Sequence, residues 1–185
     1  TYKKGTDFSI YMDTDGLIHA GSGLDQVTWM DVRVGDWVAT PRHGKPVEIN
    51  ALWYNALCTM DMLQAKFGDN DDSYRQLASL VKTSFNKRFW NENTGCLYDV
   101  VDEDDDTIRP NQIYAVSLPF TMPDMEREKA IVDTVMDKLY VGCGLRSLDP
   151  DHKDYHPIYI GSLSKRDHAY HQGTAWGFLL GGFIR

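Results

Sequence analysis

Apolar positions recur along the chain with a helical period over most of its length. From Pro46 onward Ile49, Leu52, Trp53, Ala56, Met60, Leu63 and Phe67 return at steps of three and four, the stripe of an amphipathic helix. Pro46 suits the first turn of that helix, where its missing N–H costs nothing. Tyr74, Leu77, Leu80, Val81, Phe85 and Phe89 repeat the pattern in a second helix. The polar link between the two, GDNDD (Gly68 to Asp72), is short enough to force them antiparallel. Upstream, FSIYMDTDGLIHAG (Phe8 to Gly21) alternates around Asp15-Gly16 and predicts a small β-hairpin. Downstream, GCLYDVV predicts a short strand and DEDDDTI an acidic loop. A third helix follows RPNQ and carries Ile113, Val116, Leu118 and Phe120. PDMEREKAIVDTVMDKLY is a fourth, with Asp124 as its N-cap. A long polar and aromatic stretch, GCGLRSLDPDHKDYHPIYIGSLSKRD, then leads to a last helix from about Tyr170.

The order is helix pair, excursion, helix pair, excursion, helix. It has no βαβ rhythm and no Gly-rich phosphate loop, so a doubly wound nucleotide-binding fold is disfavoured. The pattern predicts a mainly α protein, a toroid of α-hairpins with short β-hairpins in its loops. Three polar segments stand directly before helices: TWMDVRVGDWVATPRHGKP, IRPNQ and SKRDHAYHQGTAW. If the inner helices of a toroid start at one rim, all three face one cavity. Convergent polar groups in a pocket are the default binding site. Trp, Tyr, Arg, Asp, His and Gln together suit a polyhydroxylated ligand, with polar groups for its hydroxyls and rings for its C–H faces.

Composition narrows the picture. The 185 residues are enough for one domain with a real core, and 42% apolar with 25% charged residues excludes global disorder. A net charge of −8 argues against nucleic acid, which needs a basic stripe. Cys58, Cys96 and Cys143 lack metal-site spacing and read as buried reduced thiols of a cytoplasmic protein. Asp13-x-Asp15-Gly16 opens like a calcium loop, but Leu24 stands where that loop needs its bidentate Glu, so the turn reading holds. Asp102 to Asp106 reads as a solvated acidic loop. Nothing calls for a metal, a cofactor or a membrane. The ends, Thr1 to Gly5 and FLLGGFIR, suggest a piece of a longer chain.

TWMDVRVGDWVATPRHGKPVEINALWYNAL, IRPNQIYAVSLPF and YHQGTAWGFLLGGFI resemble the C-terminal amylo-α-1,6-glucosidase domain of glycogen debranching enzymes, in the form found in bacteria. The likeness runs from about Asp15 to the end. It implies the (α/α)6 toroid of six-hairpin glycosidases, with residues 1–185 as one domain that is the second part of such a barrel, truncated at both ends. It also implies inverting hydrolysis of the α-1,6-linked glucose at branch points of glycogen or another α-glucan. That chemistry needs a protonated carboxyl for the leaving oxygen and a carboxylate across the ring to activate water, roughly 6.5–9.5 Å apart.

The family's general acid, the aspartate of TWMD, maps onto Asp31, with Trp29 placed to shield it in the less polar setting that favours a protonated carboxyl. The family's base glutamate lies in a segment resembling SEIFDG that nothing here matches. An acid without its base, and an inactive isolated chain, are the expectation. Trp37, Arg42, Lys45, Glu48, Asn111, Gln112, Arg166, Asp167, His171 and Gln172 join Trp29 as candidates to bind sugar hydroxyls or shape the site. Several have a plainer alternative: Asp31 as a helix cap or loop salt bridge, Glu48 favouring a helix N-terminus, Asp167 pairing with Arg166, His171 as a satisfied core imidazole, Trp37 and Trp176 as core rather than stacking platforms. At the level of function the rivals are a trehalase-like or oligosaccharide-trimming enzyme on the same scaffold, and a carbohydrate-binding module without catalysis.

Overall fold

The computed structural model describes residues 1–68 and 71–184. A 3-10 turn at Tyr2–Lys4 precedes the first hairpin, β1 (Tyr11–Met12) and β2 (Ile18–His19), which pair antiparallel. Its turn is the expected one: Gly16 has φ +82°, and the Asp15 carboxylate accepts from the Leu17 N–H at 3.0 Å. A second hairpin, β3 (Arg33–Val34) and β4 (Trp37–Val38), stands on the surface. β5 (Lys45–Pro46) leads into the long helix α1 (Val47–Phe67), and α2 (Ser73–Arg88) follows. The link between them lies partly outside the described residues. Their antiparallel course is fixed at both ends. Arg75 reaches Asp61 at 3.3 Å, while Arg88 and Lys45 meet on Asp15 at 2.6 and 3.0 Å.

Three strands succeed α2: β6 (Trp90–Asn91), β7 (Cys96–Leu97) and β8 (Val100–Val101). GCLYDVV is thus two strands, of which β7 pairs with β6 and β8 with β5. The helix expected after RPNQ is a 3-10 turn, Pro110–Ile113, continued by only one α-turn, α3 (Tyr114–Ser117). It stops where Leu118, extended at ψ 159°, meets the ring of Pro119, which disfavours the helical conformation in the preceding residue. α4 (Met125–Lys138) begins on its expected cap, Asp124, which accepts from the Arg127 N–H at 2.9 Å.

The C-terminal part departs from expectation. The helix there is α5 (Leu163–Tyr170), which ends where a start was expected. β9 (Leu145–Arg146) lies before α5, and β10 (Ala175–Trp176) pairs with it antiparallel; a single turn, α6 (Leu180–Phe183), follows. α5 buries only Ala169, so it carries no apolar stripe to betray it.

The main core joins Val47, Ala51, Tyr54 and Leu57 of α1 to Leu77, Ala78, Val81 and Phe85 of α2, with Leu97, Val101, Ala115 and Ile131 around them. A smaller core packs Ile113, Val135, Leu139, Leu145 and Leu179. α1 therefore buries a face rotated away from the predicted stripe. Its inner face carries Asn50 and Asn55, whose amides bond the backbone of Ile18 (2.7 and 3.1 Å) and of Phe120 (3.0 and 2.8 Å). These asparagines let the helix hold backbone polar groups of the first hairpin and of the segment after α3 without leaving them unpaired. The stripe faces outward, with Leu52, Met60, Leu63 and Phe67 exposed. The architecture is mainly helical with short antiparallel hairpins.

Candidate functional site

The segments around Trp29, Arg109 and His171 meet, and a buried polar hub beneath them explains how. Asp99, next to β8, is its centre. The Arg42 guanidinium bonds both Asp99 oxygens, at 2.6 and 3.1 Å, and both Glu48 oxygens, at 2.5 and 2.7 Å, with every partner at most 3% exposed. Burial works against the Arg42 charge, but Asp99 and Glu48 more than offset it and drive its pKa up. Asn111 donates to Asp99 at 2.8 Å and accepts from the Trp29 indole N–H at 2.7 Å. That chain of bonds ties the first polar segment to the second.

Arg109 ties the second to the third. It caps the 3-10 turn, and its guanidinium donates to the His171 carbonyl at 2.8 Å, to the Ser147 carbonyl at 2.9 Å and to Gln172 Oε1 at 2.8 Å. Its Nε has no hydrogen-bond partner and lies 3.7 Å from Asp99. Burial first, and then Arg42 against the pull of Asp99, depress the Arg109 pKa. Gln172 closes the ring by donating to the Ala39 carbonyl at 3.1 Å.

Above the hub stands an aromatic wall. The Trp29 ring meets His171, Phe178 and Trp176 edge-on, at centroid distances of 5.1, 4.9 and 5.7 Å. His171 lies nearly parallel to Trp176 and is 1% exposed, with neither ring nitrogen hydrogen bonded. Its Nε2 is 3.7 Å from Asp31 Oδ1. Burial pushes the His171 pKa down to about 4, with Asp31 opposing and Arg109 and Arg42 assisting. The imidazole is neutral at physiological pH.

The Asp31 side chain is 62% exposed. Trp29 does not shield it, because that indole is turned inward to Asn111 and the other rings. Asp31 instead opens on a cleft of about 200 Å³ shared with Phe8, Leu24, Asp25, Gln26, Val27 and Arg33. A separate cavity of about 250 Å³ is lined by Trp37, Ala39, Asp154, His156, His168 and Gln172.

The remaining candidates fall into two groups. Arg42, Glu48, Asn111 and Gln112 are buried with protein partners, Gln112 accepting from the Leu97 N–H at 3.3 Å, so they build the hub beneath the cleft. Lys45, also buried, lies apart from the cleft and joins Asp13 and Asp15 at 2.8 and 3.0 Å under the first hairpin. Trp37 is on the surface and stacks on His168 at 4.1 Å, while Trp176 is half-buried in the wall. Arg166 and Asp167 are half-buried on α5, and no ion pair joins them among the described residues. Adjacent helical residues point in different directions.

Asp99 was missed by the sequence reading. Its signal was a carboxylate inside an apolar strand pattern, a placement that costs too much unless cations pair with it. His156, His168 and Asp154 were missed as well, because they lie in a long polar stretch without periodicity. Among the described residues no group of three or more His, Cys, Asp and Glu side chains is placed to hold a metal ion, and no helix is long and apolar enough to cross a membrane.

The glycogen debranching enzyme of Saccharomyces cerevisiae is 29% identical to this chain over 231 aligned residues, which take in 98% of the chain and 15% of the yeast protein. The chain thus spans a small part of that relative's length. A family model described as amylo-alpha-1,6-glucosidase matches residues 1–185, from one end of the chain to the other. The chain therefore belongs to the amylo-alpha-1,6-glucosidase family of glycosidase domains.

Proposed function

We propose that the chain takes part in hydrolysis of the α-1,6-linked glucose at branch points of glycogen or a limit dextrin, with inversion at the anomeric carbon. The observation that carries this reading is the meeting of three polar segments distant in sequence at Asp31, in a chain whose family is glycosidic. Asp31 is the general acid. Its open flank lets a glycosidic oxygen approach, and a sugar seated there excludes water from the carboxyl. Neutral His171 stands behind it, with Nε2 3.7 Å from Asp31 Oδ1. Trp29 sets the position of the imidazole, and Arg109 and Gln172 fix the turn that carries it.

The partner that activates water is the family's base glutamate, whose segment no stretch of this chain matches. The 185 residues are then part of a larger (α/α)6 toroid, and the outward apolar stripe of α1 is the face that meets its other hairpins. By itself the chain releases no glucose.

The test is to incubate the parent polypeptide with phosphorylase limit dextrin and follow the released sugar by proton NMR. Inversion predicts β-glucose as the first anomer. α-Glucose first would contradict the inverting mechanism. Binding of the dextrin with no glucose released would replace the enzyme by a carbohydrate-binding module.

A further inference from the structure

One feature of the fold is unused by the chemistry at Asp31: the groove beyond Gln172. The loop after β9 folds back on the turn that carries His171 and Gln172, with the His156 N–H donating to the Gln172 carbonyl at 2.7 Å. Gly173 permits this approach. A Cβ there would lie 2.4 Å from the His156 carbonyl oxygen and 2.8 Å from the Tyr155 ring, and φ is +143°. The docked loop walls a cavity of about 250 Å³ with Trp37, Asp154, His156, His168 and Gln172. A second cavity, about 490 Å³, shares His156 and His168 and continues past Ile158 and Ile160. The two make one groove with a pair of imidazoles at its middle.

The chemistry of the groove follows from its hydrogen bonds. His156 Nδ1 is 2.8 Å from the Asp154 carbonyl and His168 Nδ1 is 2.7 Å from the Ser164 carbonyl. A carbonyl only accepts, so each Nδ1 is the donor, and in that tautomer Nε2 is the acceptor. The Asp154 carboxylate adds further acceptors. Against these stand open apolar surfaces: Trp37, stacked on His168 yet 37% exposed, with Ile158 at 66% and Ile160 at 70%. Acceptors beside flat apolar surface suit a ligand with hydroxyl edges and C–H faces. Lys165 and Ser164 on the wall of the larger cavity add donors, but a phosphate backbone would meet that one lysine against Asp154 on a chain of net charge −8.

We propose that the groove from Trp37 past His168 and His156 to Ile158 and Ile160 holds the α-glucan chain that presents its branch to Asp31. The link to Asp31 is one residue long: Gln172 lines the groove, and His171 before it sets its Nε2 3.7 Å from Asp31 Oδ1. Its length suits several glucose units rather than one. This inference rests on the proposed glycosidase reading and adds where the chain beyond the cleaved bond is bound.

Calorimetric titration of the 185-residue chain with maltoheptaose tests it. Trp37→Ala and His156→Gln change exposed side chains on the surface and each should weaken binding about tenfold. Trp37→Phe, which keeps a flat ring, should stay within about threefold of the unaltered protein. Unchanged affinity in both Trp37→Ala and His156→Gln would overturn the groove while leaving the role of Asp31 standing. No binding of maltoheptaose by the unaltered chain would overturn the groove and the glucan reading together.

Discussion

His171 is buried to 1% exposure with both ring nitrogens unbonded, and burial holds its pKa near 4. An unfolded histidine titrates near 6.5, so between about pH 6.5 and 4 the unfolded chain binds a proton that the folded chain refuses. Stability is therefore present above pH 6.5 and lost as pH falls towards 4, by on the order of 3 kcal/mol for this group. Urea unfolding at pH 7 and pH 4.5 should show a loss of this kind that His171→Gln largely removes; an equal loss in the variant would remove His171 as the cause. Arg42 is the complementary case, a buried cation on which two buried carboxylates depend. Arg42→Ala strands Asp99 and Glu48 and should cost about 3–5 kcal/mol in the same assay, whereas a cost below about 1 kcal/mol would mean that the hub is solvated. At this scale the sequence spoke through residue type: an aspartate in an apolar strand and an arginine between loops demand partners. Which partners they take was not legible, because Trp29 and Asn111 or Arg42 and Asp99 meet only after the chain has folded.

Helix α1 shows what periodicity reports and what it leaves open. Its existence and limits follow from the sequence, with Pro46 ahead of its first turn and Gly68, at φ +97°, closing its last. The face it buries does not follow. Val47, Ala51, Tyr54 and Leu57 keep the same period as the more apolar stripe beside them, and the asparagine bonds to Ile18 and Phe120 turn the helix towards the mixed face. Leu57→Ala should cost about 2–5 kcal/mol in the 185-residue chain. The pair Leu52→Glu and Leu63→Glu should change its stability by less than about 1 kcal/mol. In the parent polypeptide the same pair should destabilise markedly if further hairpins cover the stripe, and indifference there would contradict the larger toroid. α2, α4 and the first hairpin were legible because caps, turns and stripes are local signals. α5 was not, since a helix that buries only Ala169 leaves no stripe to read.

Across the whole molecule, three polar segments separated by helices become one site because a buried hub of Arg42, Glu48, Asp99, Arg109 and Asn111 draws them together. The sequence pointed to this meeting from three segments placed ahead of helices. Yet the third segment contains most of helix α5 itself and runs on into β10, and the second leads into a 3-10 turn. The inward turn of Trp29, which leaves Asp31 open, was not legible, since it depends on the Asn111 bond. Asp31 stands at the edge of the wall of Trp29, His171 and Trp176, 3.7 Å from the His171 Nε2. The most direct measurement is the rate of glucose release from limit dextrin by the parent polypeptide with Asp31→Asn. Loss of an acid from the transition state predicts a fall of about 10²–10⁴-fold in kcat, with dextrin affinity and thermal stability unchanged. A variant that releases glucose at the unaltered rate would show that the proton comes from elsewhere, and Asp31 would lose its place in the reaction.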